Sequence, residues 1–189
     1  MGLSKKALRE KCNNDRKKFV QVHGTLGLVK PVTEFLAAES GTWGGFMPTA
    51  SEPDLQSLYT DCKDTNKNNN GVVWAFPCVR GDEMEYFIPG KNGDFIKSKL
   101  GILEPDQKTS QAVEVGELVG ILVPGVAFDE EGHRMGRGRG FYDRFLSQFT
   151  GKKIGVCFDI QVFSEVPQDP HDVRMDVIIT DERILRIPA

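Results

Sequence analysis

Short apolar runs alternate with segments of helical periodicity along this chain. The runs predict strands at residues 42–47, 72–77, 84–88, 120–123, 153–158 and 175–180, with a short edge strand at 183–187. Because several runs are apolar on both faces, we expect an α/β protein, a three-layer sandwich in which helices cover both sides of a mostly parallel sheet.

Four helices are expected between these strands. The first begins after Ser4, the second spans 26–38 with Pro31 near its first turn, the third starts near Asp54, and the fourth spans 141–146. Between the strands, we expect a hairpin turn at 81–82, an extended segment at 101–105 and a polar linker from there to residue 115. Ligands of such sheets bind beyond the carboxyl ends of the strands. Segments 47–52, 124–140 and 167–172 follow strands and are expected to meet at that edge.

Residues 120–146 form the stretch around which the chain is organised. An apolar strand stops at Pro124-Gly125, arginine alternates with glycine over 134–140, and a helix follows at once. Glycine lets backbone N–H groups close around an anion, the helix adds its positive end, and arginine adds forked donors. The pattern predicts a polyphosphate cradle, although it matches neither GxGxxG nor GxxxxGK[ST]. A flexible surface loop with solvated arginines is the alternative.

The first helix is strongly basic. Lys5 and Arg9 are four residues apart and project from one face, where they could reach an anion bound elsewhere. Its apolar stripe is thin and consists of Leu8, Cys12 and Phe19. For most of its lysines, a solvated surface helix is the alternative interpretation.

Composition excludes several classes of protein. With 189 residues, the chain can bury a core, and one domain over 1–189 is expected. Lys+Arg of 24 against Asp+Glu of 27 gives a net charge of −3, which argues against a nucleic-acid partner. The four cysteines, Cys12, Cys62, Cys78 and Cys157, are far apart and predict reduced thiols rather than a zinc site. No signal peptide or membrane-spanning run is evident, so we expect a cytoplasmic protein without a membrane partner.

A known family has the same ordered motifs. Residues 123–146 read VPGVAFDEEGHRMGRGRGFYDRFL, close to the pattern VPG-x-x-F-D-x-x-G-x-R-x-G-x-G-x-G-Y-Y-D. LGILEP at 100–105 and the ending VP…PHDV…D are further landmarks. The chain resembles the 5-formyltetrahydrofolate cyclo-ligases, also called 5,10-methenyltetrahydrofolate synthetases, over nearly its whole length.

This resemblance implies a function and a fold. It implies ATP-dependent conversion of 5-formyltetrahydrofolate to 5,10-methenyltetrahydrofolate, with Mg²⁺, on a sugar-isomerase/CoA-transferase-like α/β fold. The γ-phosphoryl group would pass to the formyl oxygen, and N10 of the folate would then close the ring. We expect ATP and the folate as small-molecule partners, and a monomer or weak homodimer.

The family's residue roles transfer position by position. Those implied to contact ATP are Lys5, Arg9, Arg134, Met135, Gly136, Arg137, Gly138, Arg139, Gly140, Phe141 and Tyr142. Those implied to contact the folate are Met47, Glu52, Arg137, Gly138, Arg139, Gly140 and Phe141. Catalytic roles fall on Arg137, Arg139 and Tyr142, and metal ligation falls on Asp143 and Asp172. Phe141 departs from the family's usual Tyr, so any hydroxyl contact there is lost.

Several alternatives remain open at this point. Asp143 could pair with Arg139 or Arg144, Asp172 could be a turn residue, and Tyr142 could belong to the core. Glu52 could serve only at a helix entry. Two other functions are conceivable: an RGRG-type nucleic-acid binder, which the acids at 129–131 disfavour, and an enzyme of the same fold acting on a sugar phosphate.

Overall fold

The computed structural model describes residues 4–59, 71–90, 94–99, 101–170 and 172–188. The helices are α1 (Lys5–His23), α2 (Val29–Leu36), α3 (Gln56–Tyr59) and α4 (Phe141–Leu146). The first strands are β1 (Gly41–Gly44), β2 (Val72–Arg80), β3 (Glu83–Ile88), β4 (Phe95–Lys97), β5 (Leu103–Pro105) and β6 (Gln111–Val113). The others are β7 (Leu118–Pro124), β8 (Ala127–Asp129), β9 (Arg134–Met135), β10 (Lys152–Val156), β11 (Val162–Phe163), β12 (Val177–Ile179) and β13 (Ile184–Arg186).

The central sheet has eight strands in the order β13-β12-β10-β7-β1-β2-β3-β6. Its middle strands, β12, β10, β7, β1 and β2, are parallel, whereas β13, β3 and β6 pair antiparallel at the two edges. A three-stranded sheet (β11-β8-β9) and a two-stranded sheet (β4-β5) complete the fold. The expected mostly parallel α/β architecture is therefore confirmed.

The sequence of β7 explains its central place. Ile121 and Val123 face one core cluster, which contains Phe145 and Leu146 of α4. Leu122 faces the other, which contains residues of α2 and α3. Because successive side chains of a strand point to opposite faces, an unbroken apolar run suits a strand that is covered on both sides. Helices on both faces give the three layers.

The helices begin where local chemistry dictates. The Ser4 hydroxyl accepts a hydrogen bond from the Ala7 N–H at 3.3 Å and caps α1, as expected. α2 begins at Val29, three residues later than expected, with Pro31 still in its first turn. None of the helices in the described ranges combines the length and apolar character that crossing a bilayer requires.

Weakly patterned segments differ from the sequence expectation. The expected polar linker contains β6, which pairs antiparallel with β3 at the sheet edge. The extended segment before it forms a hairpin with β4, and the expected strand at 42–47 ends at Gly44. Short edge strands have little buried surface, so their sequences carry little hydrophobic alternation. Cys62 and His171 lie outside the described residues.

Candidate functional site

A cavity of about 270 Å³ lies at the carboxyl ends of β1, β2 and β7. Its apolar wall consists of Phe46, Met47, Pro77, Val79, Met84, Ile102 and Leu103. Its polar wall consists of Glu52, Glu104, Pro124, Gly125, Arg134 and residues 136–143. Two of the three segments expected at this edge, 47–52 and 124–140, therefore do meet there, as parallel-sheet geometry requires.

The glycine-rich loop bends sharply along this wall. Gly138 has φ +92° and Gly140 has φ +70°, a left-handed region that is unfavourable for residues with a Cβ. Gly140 is also the N-cap residue of α4, whose first bond runs from the Arg144 N–H to the Gly140 carbonyl at 3.0 Å. The alternation of glycine and arginine thus gives a tight turn that leaves the guanidinium groups of Arg137 and Arg139 exposed at its surface.

Arg137 reaches across the cavity to the segment after β1. Its Nη2 donates to Glu52 Oε1 at 2.7 Å and also to the Thr49 hydroxyl. Thr49 in turn donates to Glu52 Oε2 from its backbone N–H at 2.9 Å and from its hydroxyl at 3.0 Å. Glu52 is buried, at 6% exposure, whereas the Arg137 side chain is 46% exposed. A buried carboxylate therefore holds a half-exposed cation in the cavity wall.

Arg134 and Asp143 form a second ion pair in the polar wall. Arg134 Nη2 donates to Asp143 Oδ1, and its Nη1 donates to the Pro124 carbonyl at 3.3 Å. Arg134 is 5% exposed, and its guanidinium lies 5.5 Å from the centre of the Tyr142 ring. The partner of Asp143 is thus Arg134, rather than Arg139 or Arg144, because β9 carries Arg134 back against the start of α4.

Tyr142 lies in the cavity wall and remains a neutral phenol at physiological pH. Burial, reinforced by the nearby Glu52 carboxylate, raises the pKa of Tyr142 well above its ordinary value. Such a phenol can donate a hydrogen bond but cannot act as a base. Its neighbour Phe141 packs under the Arg144 guanidinium, 5.4 Å from the ring centre, and also lines the cavity.

Arg9 of the first helix contacts the glycine-rich loop. Arg9 Nε donates to the Gly136 carbonyl at 3.0 Å, and a Cβ on Gly138 would lie 3.5 Å from the Arg9 guanidinium carbon. Lys5 does not line the cavity. Its Nζ lies 2.5 Å from Asp169 Oδ2 and 3.4 Å from Asp172 Oδ2.

Comparison with known proteins identifies the family. Residues 46–181 match the sequence model of the 5-formyltetrahydrofolate cyclo-ligase family. The chain is 34% identical to a 5-formyltetrahydrofolate cyclo-ligase of Mycolicibacterium smegmatis, over 73% of this chain and 72% of that protein. It is 31% identical to a probable 5-formyltetrahydrofolate cyclo-ligase of Schizosaccharomyces pombe, over 60% and 63%. The chain belongs to the 5-formyltetrahydrofolate cyclo-ligase family.

Solved structures agree with this cyclo-ligase assignment. The fold is similar to that of Aquifex aeolicus 5,10-methenyltetrahydrofolate synthetase, with a TM-score of 0.82, 29% identity, and coverage of 99% of this chain and 94% of that one. A Mycoplasma pneumoniae 5,10-methenyltetrahydrofolate synthetase, with a TM-score of 0.73 and 24% identity, shares the fold over 95% of this chain and 99% of that one. The expected family, fold and enzyme class are thereby confirmed.

The cyclo-ligase resemblance implies Mg²⁺ at Asp143 and Asp172, and the two positions differ in their fit. Asp143 lines the cavity beside the glycine-rich loop, and its side chain is 23% exposed. Mg²⁺ commonly takes one or two carboxylates and completes its shell with phosphate oxygens and water, which suits Asp143. Asp172 instead accepts from the Asp169 N–H at 2.7 Å and faces Lys5. Within the described ranges, no group of three or more His, Cys, Asp or Glu could hold a metal.

Some cavity residues of this cyclo-ligase are not evident from the sequence. Thr49 bridges Glu52 and Arg137, and its only sequence signal is its position three residues before the glutamate. Glu104 and Leu103 reach the cavity from the β4–β5 hairpin, within the family's LGILEP landmark. Met135 has a different place from its loop neighbours, because its side chain is buried with Leu8 of α1 and the residue does not line the cavity.

Proposed function

We propose that this chain uses ATP to convert 5-formyltetrahydrofolate to 5,10-methenyltetrahydrofolate, with release of ADP and phosphate. The observation that carries this proposal is the extent of the family match. Residues 46–181 match the family, and every residue that lines the cavity, from Phe46 to Asp143, lies inside that range. The cavity also offers what two such substrates need, a cationic loop at one end and an apolar slot at the other.

The first step transfers a phosphoryl group. The formyl oxygen attacks the γ-phosphorus, a new O–P bond forms, and the bond from that phosphorus to the β–γ bridging oxygen breaks. The electron pair leaves with ADP, and the nitrogen lone pair at N5 stabilises the formyl carbon as an iminium. Phosphoryl transfer depends mostly on positioning and on charge stabilisation, so no enzyme nucleophile is required.

The second step closes the ring. The N10 lone pair adds to the formyl carbon, the C–O bond to phosphate breaks with its electron pair, and N10 loses its proton to solvent. The product carries its positive charge across N5, the carbon and N10. Carbonyl oxygen is a poor leaving group, and phosphorylation is what makes its departure possible.

The polar wall binds and neutralises the phosphate groups in this chemistry. Arg137 and Arg139 neutralise the charge that develops on the transferred phosphoryl group, and the backbone N–H groups of Gly136, Gly138 and Gly140 face the triphosphate. Tyr142, as a neutral phenol, donates a hydrogen bond to a phosphate or formyl oxygen. When an anionic ligand binds, Arg137 releases Glu52 and pairs with the ligand instead. The Glu52 carboxylate is then free to contact the folate.

The remaining expected positions take supporting roles. Arg9 steadies the loop through the Gly136 carbonyl. Lys5 contacts the nucleotide only after its Nζ leaves Asp169 and Asp172. Met47 and Phe141, which both line the cavity, flank the pterin ring. Asp143 would hold Mg²⁺, which supplies charge neutralisation at the phosphates when bound. Asp172 is proposed as a second ligand that must first leave Lys5.

We propose that the enzyme works in the cytoplasm as a monomer or weak homodimer. Among the described residues, Cys12, Cys78 and Cys157 are free thiols, which suits a reducing compartment. Cell fractionation tests the location, and sedimentation of the purified protein tests the oligomeric state. Recovery of the protein with intact intermolecular disulfides from an oxidising compartment would contradict both.

The activity has a direct optical test. Purified protein is mixed with 5-formyltetrahydrofolate, Mg²⁺ and ATP, and formation of the methenyl product is followed by its near-ultraviolet absorbance. We expect one ADP per product and no product when ATP is replaced by a non-hydrolysable analogue. Stimulation of ATP hydrolysis by a sugar phosphate, without stimulation by the folate, would instead favour the sugar-phosphate alternative.

A further inference from the structure

Arg16 is a buried cation in the middle of α1. Its exposure is 2%, although a solvated surface was the alternative interpretation for most of the lysines of this basic helix. Leu8, Cys12 and Arg16 are the buried residues of α1, four positions apart, so the guanidinium occupies the third place in its apolar stripe. A charged side chain in such a place requires a physical explanation.

The contacts of Arg16 leave its charge largely uncompensated. Nη1 donates to the Gly125 carbonyl at 3.2 Å and Nη2 donates to Asn13 Oδ1 at 3.3 Å. Its Nε is buried and has no hydrogen-bond partner. Both acceptors are neutral, and among the described residues Arg16 has no carboxylate within ion-pair distance.

The surrounding groups do not neutralise this charge either. Burial raises the pKa of the Cys12 and Cys157 thiols, so both remain uncharged near Arg16 at physiological pH. Burial also lowers the pKa of Arg16, an effect that the Glu52 carboxylate opposes and the Arg137 cation reinforces. Glu52 is already bonded to Arg137 at 2.7 Å. Glu52 thus lies near two guanidinium groups but is hydrogen-bonded to only one of them, Arg137, so within the described part of the chain the charge of Arg16 has no ion-pair partner of its own.

Local structure does not account for Arg16. The Gly125 carbonyl also accepts from Gln161 Nε2 at 3.1 Å, and the same nitrogen donates to the Val126 carbonyl at 2.9 Å. The turn at Gly125 is therefore held without Arg16. A buried, unpaired charge usually destabilises a fold relative to an apolar side chain of similar size.

We propose that Arg16 is a positioning residue of the nucleotide site, a fixed positive charge behind the Pro124-Gly125 wall that favours polyphosphate in the cavity. This inference rests on the proposed function, because it assigns Arg16 to the ATP that the reaction consumes. Gly125 lines the cavity and accepts directly from Arg16, so the charge lies one backbone group away from the ligand. Low polarity around Arg16 and Gly125 keeps the electric field of the guanidinium strong inside the cavity.

The test separates charge from shape with three variants. Arg16→Met removes the charge but keeps an apolar chain of similar length, Arg16→Lys keeps the charge, and Arg186→Met removes one charge from the exposed edge strand β13 as a control. Calorimetry without folate measures the dissociation constants of ATP and AMP at fixed Mg²⁺. Thermal unfolding of each variant without ligand measures stability.

We expect Arg16→Met to weaken ATP binding about tenfold or more while AMP binding changes less than about threefold, because the effect grows with phosphate charge. For Arg16→Lys and Arg186→Met, the dissociation constant of ATP should stay within about threefold of the wild-type value. Arg16→Met unfolds at the same temperature as the wild type or higher.

Four outcomes overturn the inference. Arg16 would be a structural residue if Arg16→Met lost ATP and AMP affinity equally, or if it unfolded at a lower temperature than the wild type. The same would follow if Arg16→Met and Arg16→Lys weakened ATP binding equally. Unchanged ATP binding in Arg16→Met would show that its charge does not reach the site. Since binding is measured without turnover, wild-type protein that binds ATP but forms no methenyl product would contradict the proposed reaction alone.

Discussion

The polar lining residues of the cavity, its polar end, and the apolar lining residues, its apolar end, differ in how their side chains are bonded. At the polar end, the charged groups of Arg134, Arg137, Glu52 and Asp143 are already bonded to one another. At the apolar end, side chains such as Leu103 meet the cavity with no polar contact to give up. A ligand must therefore replace existing bonds at one end and only displace water at the other. Changes at the polar end should alter the rate, and changes at the apolar end should alter affinity.

The largest effect is expected from Arg137→Ala. It removes the one cation of the loop that spans the cavity, and loss of such a group commonly lowers turnover by roughly 100- to 1000-fold. Stability should change little, because the Arg137 side chain is half exposed and Thr49 keeps both its bonds to Glu52. Methenyl formation and thermal unfolding are measured together.

Arg186→Ala serves as the matched control for Arg137→Ala, since it removes the same charge from the far edge of the sheet. Its turnover should equal that of the wild type. If Arg137→Ala kept a tenth or more of the wild-type turnover, the polar end would not govern the rate.

Asp143→Asn should raise the Mg²⁺ concentration needed for half-maximal activity by about tenfold. It keeps the shape of the side chain but removes a carboxylate that Mg²⁺ prefers to an amide. The comparison variant is Asp172→Asn, whose carboxylate faces Lys5 outside the cavity wall, so a smaller shift is expected. Identical Mg²⁺ titrations for Asp143→Asn and the wild type would show that Asp143 does not bind the metal.

Leu103→Ala addresses the apolar end. Leu103 is 44% exposed in the cavity wall, and covering its remaining apolar surface with a flat ring is worth about 1 kcal/mol. We expect KM for the folate to rise about fivefold, with kcat and KM for ATP nearly unchanged. A fall in kcat without a change in KM would show that the apolar end also acts in the transition state.

The two ends also differ in how far the sequence predicts them. The polar wall comes mostly from one continuous stretch, so its glycines and arginines are visible as a motif. The apolar wall joins Met47, Val79, Met84 and Leu103 from separate elements, and only the folded sheet brings them together. No local pattern marks that proximity, although the family resemblance singled out Met47.

Single residues show the same limit. Pairing of Asp143 with Arg139 or Arg144, which are close in sequence, was the open alternative to its metal role, but β9 brings Arg134 to Asp143 instead. Arg16 is buried, although arginine rarely is, so its residue type gave no signal of this environment. Its spacing of four from Cys12 was the available signal, since it continues the buried stripe. The periodicity of Leu8 and Cys12 located the buried face of α1 correctly, whereas the residue type of Arg16 did not indicate that it lies on this face.

The smallest effect is expected from a substitution of Gly140, the residue that joins the glycine-rich loop to α4. Gly140→Ala places a Cβ at φ +70°, which costs about 1 kcal/mol, and that Cβ would lie 2.7 Å from Nη1 of the flexible Arg144 side chain. We expect a lower unfolding temperature by a few degrees and a modest loss of ATP affinity. Gly116→Ala is the control, because its backbone is not left-handed and a Cβ there would meet nothing within 4 Å. Equal effects of the two substitutions would mean that the loop does not depend on its left-handed turn, and that the polar end is less rigid than its hydrogen bonds indicate.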